Sequence, residues 1–286
     1  MQQMQNMLMH LTLNVGQENK MKYNTFTLIY KYISYLWKAS NGQGHGVHSP
    51  FVYAFIKNVL NSKSKGASID AIELYRHQLL NNQKEISILD FGAGADSHGN
   101  KSKTIAQIAK GSLKPKKYSA LLSRIVAYFK PHQVLEMGTS LGITTCYLAQ
   151  GVSNASVVTM EGAPTVAQEA LTTFKNLGYQ NIQLIEGNFD QSLPNYLNSI
   201  STIGIAYVDG NHRYIPTMQY FNLLLAKSDE HSIFIFDDIH WSSEMEKAWA
   251  EIKADTRISL TIDLFYIGIV FLKKGNKEKE NFIIKF

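Results

Sequence analysis

Cysteine is almost absent: Cys146 is the only one in 286 residues. No intrachain disulfide can form, and a thiolate-rich metal site is excluded. The residue falls in an apolar helical pattern, TTCYLAQ, where a small core side chain is the expected role. A chain without disulfides suits a reducing cytoplasm, the expected location. Long hydrophobic runs are missing too. Nothing approaches the ~18–20 uncharged apolar residues that cross a bilayer, so no membrane partner is expected. The opening MQQMQNMLMHLTLNVGQENK has neither the basic start nor the apolar stretch of a secretion signal, and residues 1–22 read as a flexible leader. Charged residues are sparse at 18%, while 45% of the chain is apolar, which supplies a core and excludes wholesale disorder.

The charge that is present is unevenly placed. Residues 1–117 hold 15 Lys/Arg against 6 Asp/Glu, and residues 118–286 hold 13 against 17, for a net charge of +5. A basic half can mark a nucleic-acid or acidic-substrate surface, although solvated lysines on helix faces are the commoner outcome.

Residues 23–117 read as a helical, basic N-terminal module, a substrate lid or oligomerisation element. Ser49-Pro50 has the form of an N-cap followed by proline in the first turn, and Phe51, Phe55, Val59 and Leu60 recur at helical spacing. Further helices are predicted over 69–80 and 118–129. Between them Gly92 to Gly111 is rich in Gly, Ser, Asn and Lys and reads as a long loop, of the kind that is usually functional. The run ILDFGAGAD, at 88–96, imitates a nucleotide-binding turn but lacks the helix and second strand that should follow. It is assigned to the N-terminal module as a plain turn or a loop approaching the active site. His45, His48 and Ser49 form an unusual GHGVHSP cluster that could line a substrate mouth, although capping explains Ser49 without a ligand.

From residue 118 the texture changes. Strands are predicted at 134–137, 156–160, 182–185, 203–208, 232–236, 260–264 and 267–272. Helices fall at 142–150, 164–177, 191–198, 216–227 and 243–253. That alternation implies right-handed crossovers and a doubly wound α/β fold. The sheet is Rossmann-like, seven-stranded and mostly parallel, and the last two strands are joined too tightly for anything but an antiparallel hairpin. Residues 118–286 therefore read as one α/β domain.

In such sheets ligands bind beyond the carboxyl ends of the strands. The first strand ends in Glu136, Met137, Gly138, Thr139, Ser140, Leu141 and Gly142, where glycines allow a tight turn and a close backbone approach. The second ends in Glu161-Gly162, an acid suited to paired ribose hydroxyls. The third runs into Asn188-Phe189-Asp190, the fourth into Asp209-Gly210-Asn211-His212, and the fifth into Asp237-Asp238-Ile239-His240-Trp241.

In these five ordered motifs residues 118–286 resemble the class I S-adenosylmethionine-dependent methyltransferases, and are similar to the small-molecule O-methyltransferases of the catechol and caffeoyl-CoA type. The resemblance implies that VLEMGTSLGITTCYLA is the glycine-rich first motif, with Glu136 near the methionine amino group and the Gly138–Gly142 turn, including Thr139 and Ser140, around methionine and ribose. It implies that Glu161 and Gly162 hold the ribose, that Asn188, Phe189 and Asp190 border the adenine, and that Asp209 stands near the methionine end, facing the substrate. It further implies a Mg²⁺ held by two aspartates and an asparagine. Asp209 and Asp237 match the aspartates, but Asp238 stands in place of the asparagine. Three hard oxygen ligands suit Mg²⁺, yet a third carboxylate departs from the pattern. His240 offers a metal-free route as general base near neutral pH, and the set Asp209, Asp237 and His240 is taken as catalytic. His212 is read as a hydrogen-bonded loop residue, and Trp241 and Tyr214 as candidate walls for an aromatic acceptor.

The expected activity is therefore O-methylation of a small-molecule acceptor. A dehydrogenase is disfavoured, because GTSLG is not the GxGxxG of a pyrophosphate site. A nucleic-acid methyltransferase using the basic module stays open as the alternative, although VDGNHRY stands where base-amine methylation would place Asn/Asp-Pro-Pro-aromatic. A cofactor-binding protein without catalysis, and a homodimer, are also compatible with the sequence.

Overall fold

The computed structural model describes residues 22–63, 67–88, 101–152, 155–272 and 278–286. The central sheet follows the β-branched and aromatic runs: β3 (Gln133–Met137), β4 (Ser156–Glu161), β5 (Ile182–Glu186), β6 (Ile205–Val208), β7 (Ile233–Asp237), β8 (Leu260–Asp263), β9 (Ile267–Phe271) and β10 (Glu280–Ile283). Strands β6, β7 and β9 are buried at every residue, as expected of strands covered on both faces. The order is β10-β8-β9-β7-β6-β3-β4-β5. Strands β3 to β7 are mutually parallel, while β9 runs antiparallel between β7 and β8.

The seven expected strands are all present, and the C-terminal hairpin is β8–β9. The chain adds an eighth strand, β10, parallel to β8 on the edge. It is only four residues long and follows the polar KKGNKEKE run, so its apolar content is too small to stand out. A separate antiparallel pair, β1 (Glu85–Ile88) and β2 (Lys101–Thr104), precedes the sheet.

Alternation along the strands sends neighbouring residues to opposite layers. Val134, Val157, Ile205 and Ile233 face a core shared with α2 (Pro50–Phe55, continued by a π-helical turn Ile56–Leu60) and α5 (Lys116–Phe129). Leu135, Val158, Ala206 and Phe234 face the other core, covered by α8 (Phe189–Asn198), α9 (Tyr214–Ala226) and α10 (Ser243–Ala254). A third cluster joins α3 (Ala67–Asn81) and α4 (Ile105–Ser112) to α6 (Ile143–Gly151) and α7 (Pro164–Asn176), and Cys146 is buried within it. The N-terminal elements thus share apolar cores with the sheet.

Two local readings change. Residues 101–111, expected within a loop, fall in β2 and α4, which runs on to Ser112. Thr104 and Gln107 make a reciprocal capping box at the start of α4, a Thr-x-x-Gln signal that the surrounding Gly, Ser and Lys obscured. The remainder of that loop, and residues 89–96 of the imitation nucleotide turn, lie outside the described residues, as do residues 1–21 of the expected leader. Ser49 does not cap α2 through its side chain; its hydroxyl donates to Glu280 Oε2 of β10 at 3.2 Å. The helix α1 (Thr25–Lys38) is capped by Asn24, whose side chain accepts from the Thr27 N–H, and it docks beside β10 through a Ser40–Ile284 bridge. Among the described residues no helix is long and apolar enough to cross a membrane.

Candidate active site

Strand order reverses at β3, which is flanked by β4 on one side and β6 on the other, and a cavity of about 800 Å³ opens beyond these strand ends. That size lies within the roughly 300–1,000 Å³ of small-molecule sites.

One end is built from the β3 turn. Gly138 has φ +109, and a Cβ there would sit 2.1 Å from the Asp209 carbonyl oxygen, so only glycine lets the turn pass so close to the end of β6. Gly142, at φ +80, would place a Cβ 2.5 Å from the Phe174 ring. The Glu161 carboxylate sits beside this turn and lines the cavity. Its Oε2 accepts from the Ser140 N–H and its Oε1 from the Ala163 N–H, both at 2.9 Å. A carboxylate oxygen can accept more than one hydrogen bond, so the group keeps capacity toward the cavity it lines. Burial raises the Glu161 pKa, and the backbone donors only partly offset it. Gly162, Thr139, Ser140, Asn188 and Phe189 also line the cavity. Asn188 caps α8 by accepting from the Asp190 N–H.

Two expected cofactor contacts lie behind the wall. Glu136 is fully buried and does not line the cavity; its Oε2 accepts from Thr145 and Thr159, and burial raises its pKa to about 8. It ties α6 and β4 to the glycine turn. Asp190 accepts from the Tyr220 hydroxyl at 3.0 Å, and it is Tyr220 that reaches the cavity.

The other end gathers Asp209, His212, Asp237 and Asp238. Asp209 Oδ2 accepts from the Tyr207 hydroxyl at 2.9 Å, and Oδ1 lies 3.5 Å from His212 Nε2. Burial would raise the Asp209 pKa, but Lys114, His212 and Tyr207 outweigh it and bring the group down to about 2. His212 Nε2 also lies 4.0 Å from Asp238 Oδ2. Burial lowers the His212 pKa, yet Asp209 and Asp238 leave it raised overall. The sequence reading of His212 as an ordinary loop residue therefore gives way to a place in the site. Asp237, 1% exposed, points its carboxylate at Lys114, and neither of its oxygens has another hydrogen-bond partner among the described residues.

His240 lies elsewhere. It does not line the cavity, and both ring nitrogens are taken: Nδ1 lies 3.0 Å from Glu246 Oε1 and Nε2 lies 2.9 Å from Asp263 Oδ2. Burial lowers its pKa, but the two carboxylates raise it to about 9. Glu246 also accepts from Lys31 and Tyr23, so this node holds the N-terminal segment against the sheet. Trp241 lines the cavity, whereas Tyr214 donates to Glu251 and does not. His45, His48 and Ser49 are also absent from the cavity wall.

The third wall comes from the N-terminal module offered as a substrate lid, although beyond Ile88 of the 88–96 run the sequence singled out none of its residues: Ile88 and Lys103 of the β1–β2 pair, Gln107 and Ile108 of α4, and the Ser112–Pro115 segment. Ser112 Oγ touches Ser140 Oγ at 2.6 Å, joining this wall to the glycine turn.

The mostly parallel sheet with its C-terminal antiparallel hairpin, and a cavity where β3, β4 and β6 end, make a Rossmann-like architecture. Residues 135–239 match the family model Methyltransf_24, a methyltransferase domain. A protein-L-isoaspartate O-methyltransferase of Methanococcus aeolicus is 42% identical over 57 residues, 20% of this chain and 26% of that one. The match thus spans about a quarter of that curated relative. The O-methyltransferase from Bacillus cereus in complex with SAH superposes with a TM-score of 0.52 at 18% identity, covering 77% of this chain and 97% of that one. SAH-bound PaMTH1 of Podospora anserina gives 0.55 at 14% identity, covering 91% and 100%. At these identities the likeness speaks for the fold.

Proposed function

We propose that this chain is an S-adenosylmethionine-dependent methyltransferase that methylates a hydroxyl of a small, cytoplasmic acceptor. The observation that carries the reading is a single cavity with two chemically distinct ends: the glycine turn with Glu161, and the Asp209–His212 pair. The first end fits a nucleoside, because a carboxylate with free lone pairs stands beside a turn that a Cβ at Gly138 would close. The SAH-bound relatives of the same fold support this choice of cofactor.

When bound, the sulfonium supplies an electrophilic methyl group for in-line displacement. The chain's own part is to align the acceptor, exclude water and take up a proton. Trp241, Tyr118 and Tyr266 wall the acceptor end with aromatic surface. The His212 ring nitrogen that does not face Asp209 receives the hydroxyl proton as the new O–CH₃ bond forms and the S–CH₃ bond breaks, while Nε2 stays turned to the carboxylate. Asp209, held ionised, orients the imidazole and offsets the charge it gains.

Calorimetry tests the cofactor end. The parent chain is expected to bind S-adenosylhomocysteine at a single site. Glu161→Ala should weaken that binding by about 1.5–3 kcal/mol, the order of losing charge-assisted hydrogen bonds. No heat with the parent, or tighter binding of NAD, would sink the assignment.

A further inference from the structure

Among the described residues Lys114 is the lysine that reaches both Asp237 and Asp209. Its Nζ contacts Asp237 Oδ2 and lies 3.8 Å from Asp209 Oδ2, and its side chain is only 11% exposed. The ligand atoms of Asp209, His212 and Asp237 lie within 4.8 Å of one another, a donor set that a divalent ion could use. The ammonium, however, already stands among those donors. Two cations cannot share that space without strong repulsion. The residues present therefore do not fit a resident Mg²⁺ while Lys114 keeps this position.

The lysine is held there by its backbone. Pro115 follows it, which disfavours the helical region for Lys114 and keeps it extended. The Lys114 carbonyl accepts from Arg76 Nη1 at 2.6 Å, and Arg76 is anchored by Glu73 at 2.9 Å, which also accepts from Tyr147. Asp237 needs such a partner, because a buried carboxylate with no other hydrogen bond is costly.

We infer that Lys114 is the built-in cation of this site: its ammonium takes the place of a divalent metal between Asp237 and Asp209. It neutralises the acid pair and faces the acceptor oxygen as negative charge develops on it. The part assigned to the acceptor rests on the methyltransferase reading; the competition with a metal does not.

Mn²⁺ binding, read by loss of the free-ion electron paramagnetic resonance signal, tests this without turnover. The parent is expected to leave the free Mn²⁺ signal unchanged. Lys114→Met should remove about one equivalent of free Mn²⁺ per chain, and adding Asp237→Asn should abolish that gain. Lys114→Arg keeps the charge and should behave as the parent. Thermal melting and S-adenosylhomocysteine binding establish that each variant is folded. Stoichiometric Mn²⁺ binding by the parent overturns the inference, as does a folded Lys114→Met chain that gains none. Loss of S-adenosylhomocysteine binding in the parent would instead strike the methyltransferase reading and leave the Mn²⁺ result interpretable.

Discussion

Replacing His212 with alanine is expected to lower kcat by about 10²–10⁴-fold, the usual contribution of a positioned general base, with S-adenosylhomocysteine affinity little changed. The expectation rests on placement. Among the described residues His212 is the imidazole that lines the cavity, and its Nε2 lies 3.5 Å from Asp209 Oδ1, which leaves the other ring nitrogen to take the proton. Its neighbours Asp209, Asp237 and Asp238 all belong to the same strand-end cluster, so a proton reaching it stays within a compensated group. Steady-state kinetics with an identified acceptor decides the matter: a kcat close to the parent's would remove His212 from the proton-transfer step.

The second large effect concerns stability. His240→Ala should cost roughly 3 kcal/mol at pH 7, the size implied by holding a histidine at about pH 9 rather than 6.5, while leaving kcat nearly intact. In the fold the protonated imidazole donates to both Glu246 and Asp263, so the charged form is favoured by folding. A pKa raised in the folded state gives stabilisation that is complete below about pH 6.5 and is lost as pH rises through about 9. The gap between parent and variant should therefore close in denaturant titrations at high pH. A constant gap across that range, or a kcat loss like that expected for His212→Ala, would place His240 in the chemistry.

These two histidines show what the sequence could and could not convey. Both follow a strand-end aspartate, and at that level they are equivalent. What separates them is tertiary: Glu246 in the first turn of α10 and Asp263 on β8 close around His240, and Asp263 comes from a different strand of the sheet. The sheet was legible because β6, β7 and β9 are buried on both faces and carry unbroken apolar runs. The glycine turn was legible because a positive φ and a close backbone approach leave glycine as the residue that fits Gly138. Lys114 was not. It lies between the loop predicted to end at Gly111 and the helix predicted from 118, and its meeting with Asp237 spans more than a hundred residues. Glu136 and Asp190 stood in the expected motifs, yet they support the wall, and Thr145, Thr159 and Tyr220 show what they hold.

The most direct measurement is a crystal structure of the chain with S-adenosylhomocysteine. The account predicts the ribose hydroxyls on the Glu161 carboxylate, the adenine beside Phe189, and the thioether sulfur turned toward Asp209 and His212. Ligand bound outside this cavity, or bound within it with the ribose away from Glu161, would contradict the account.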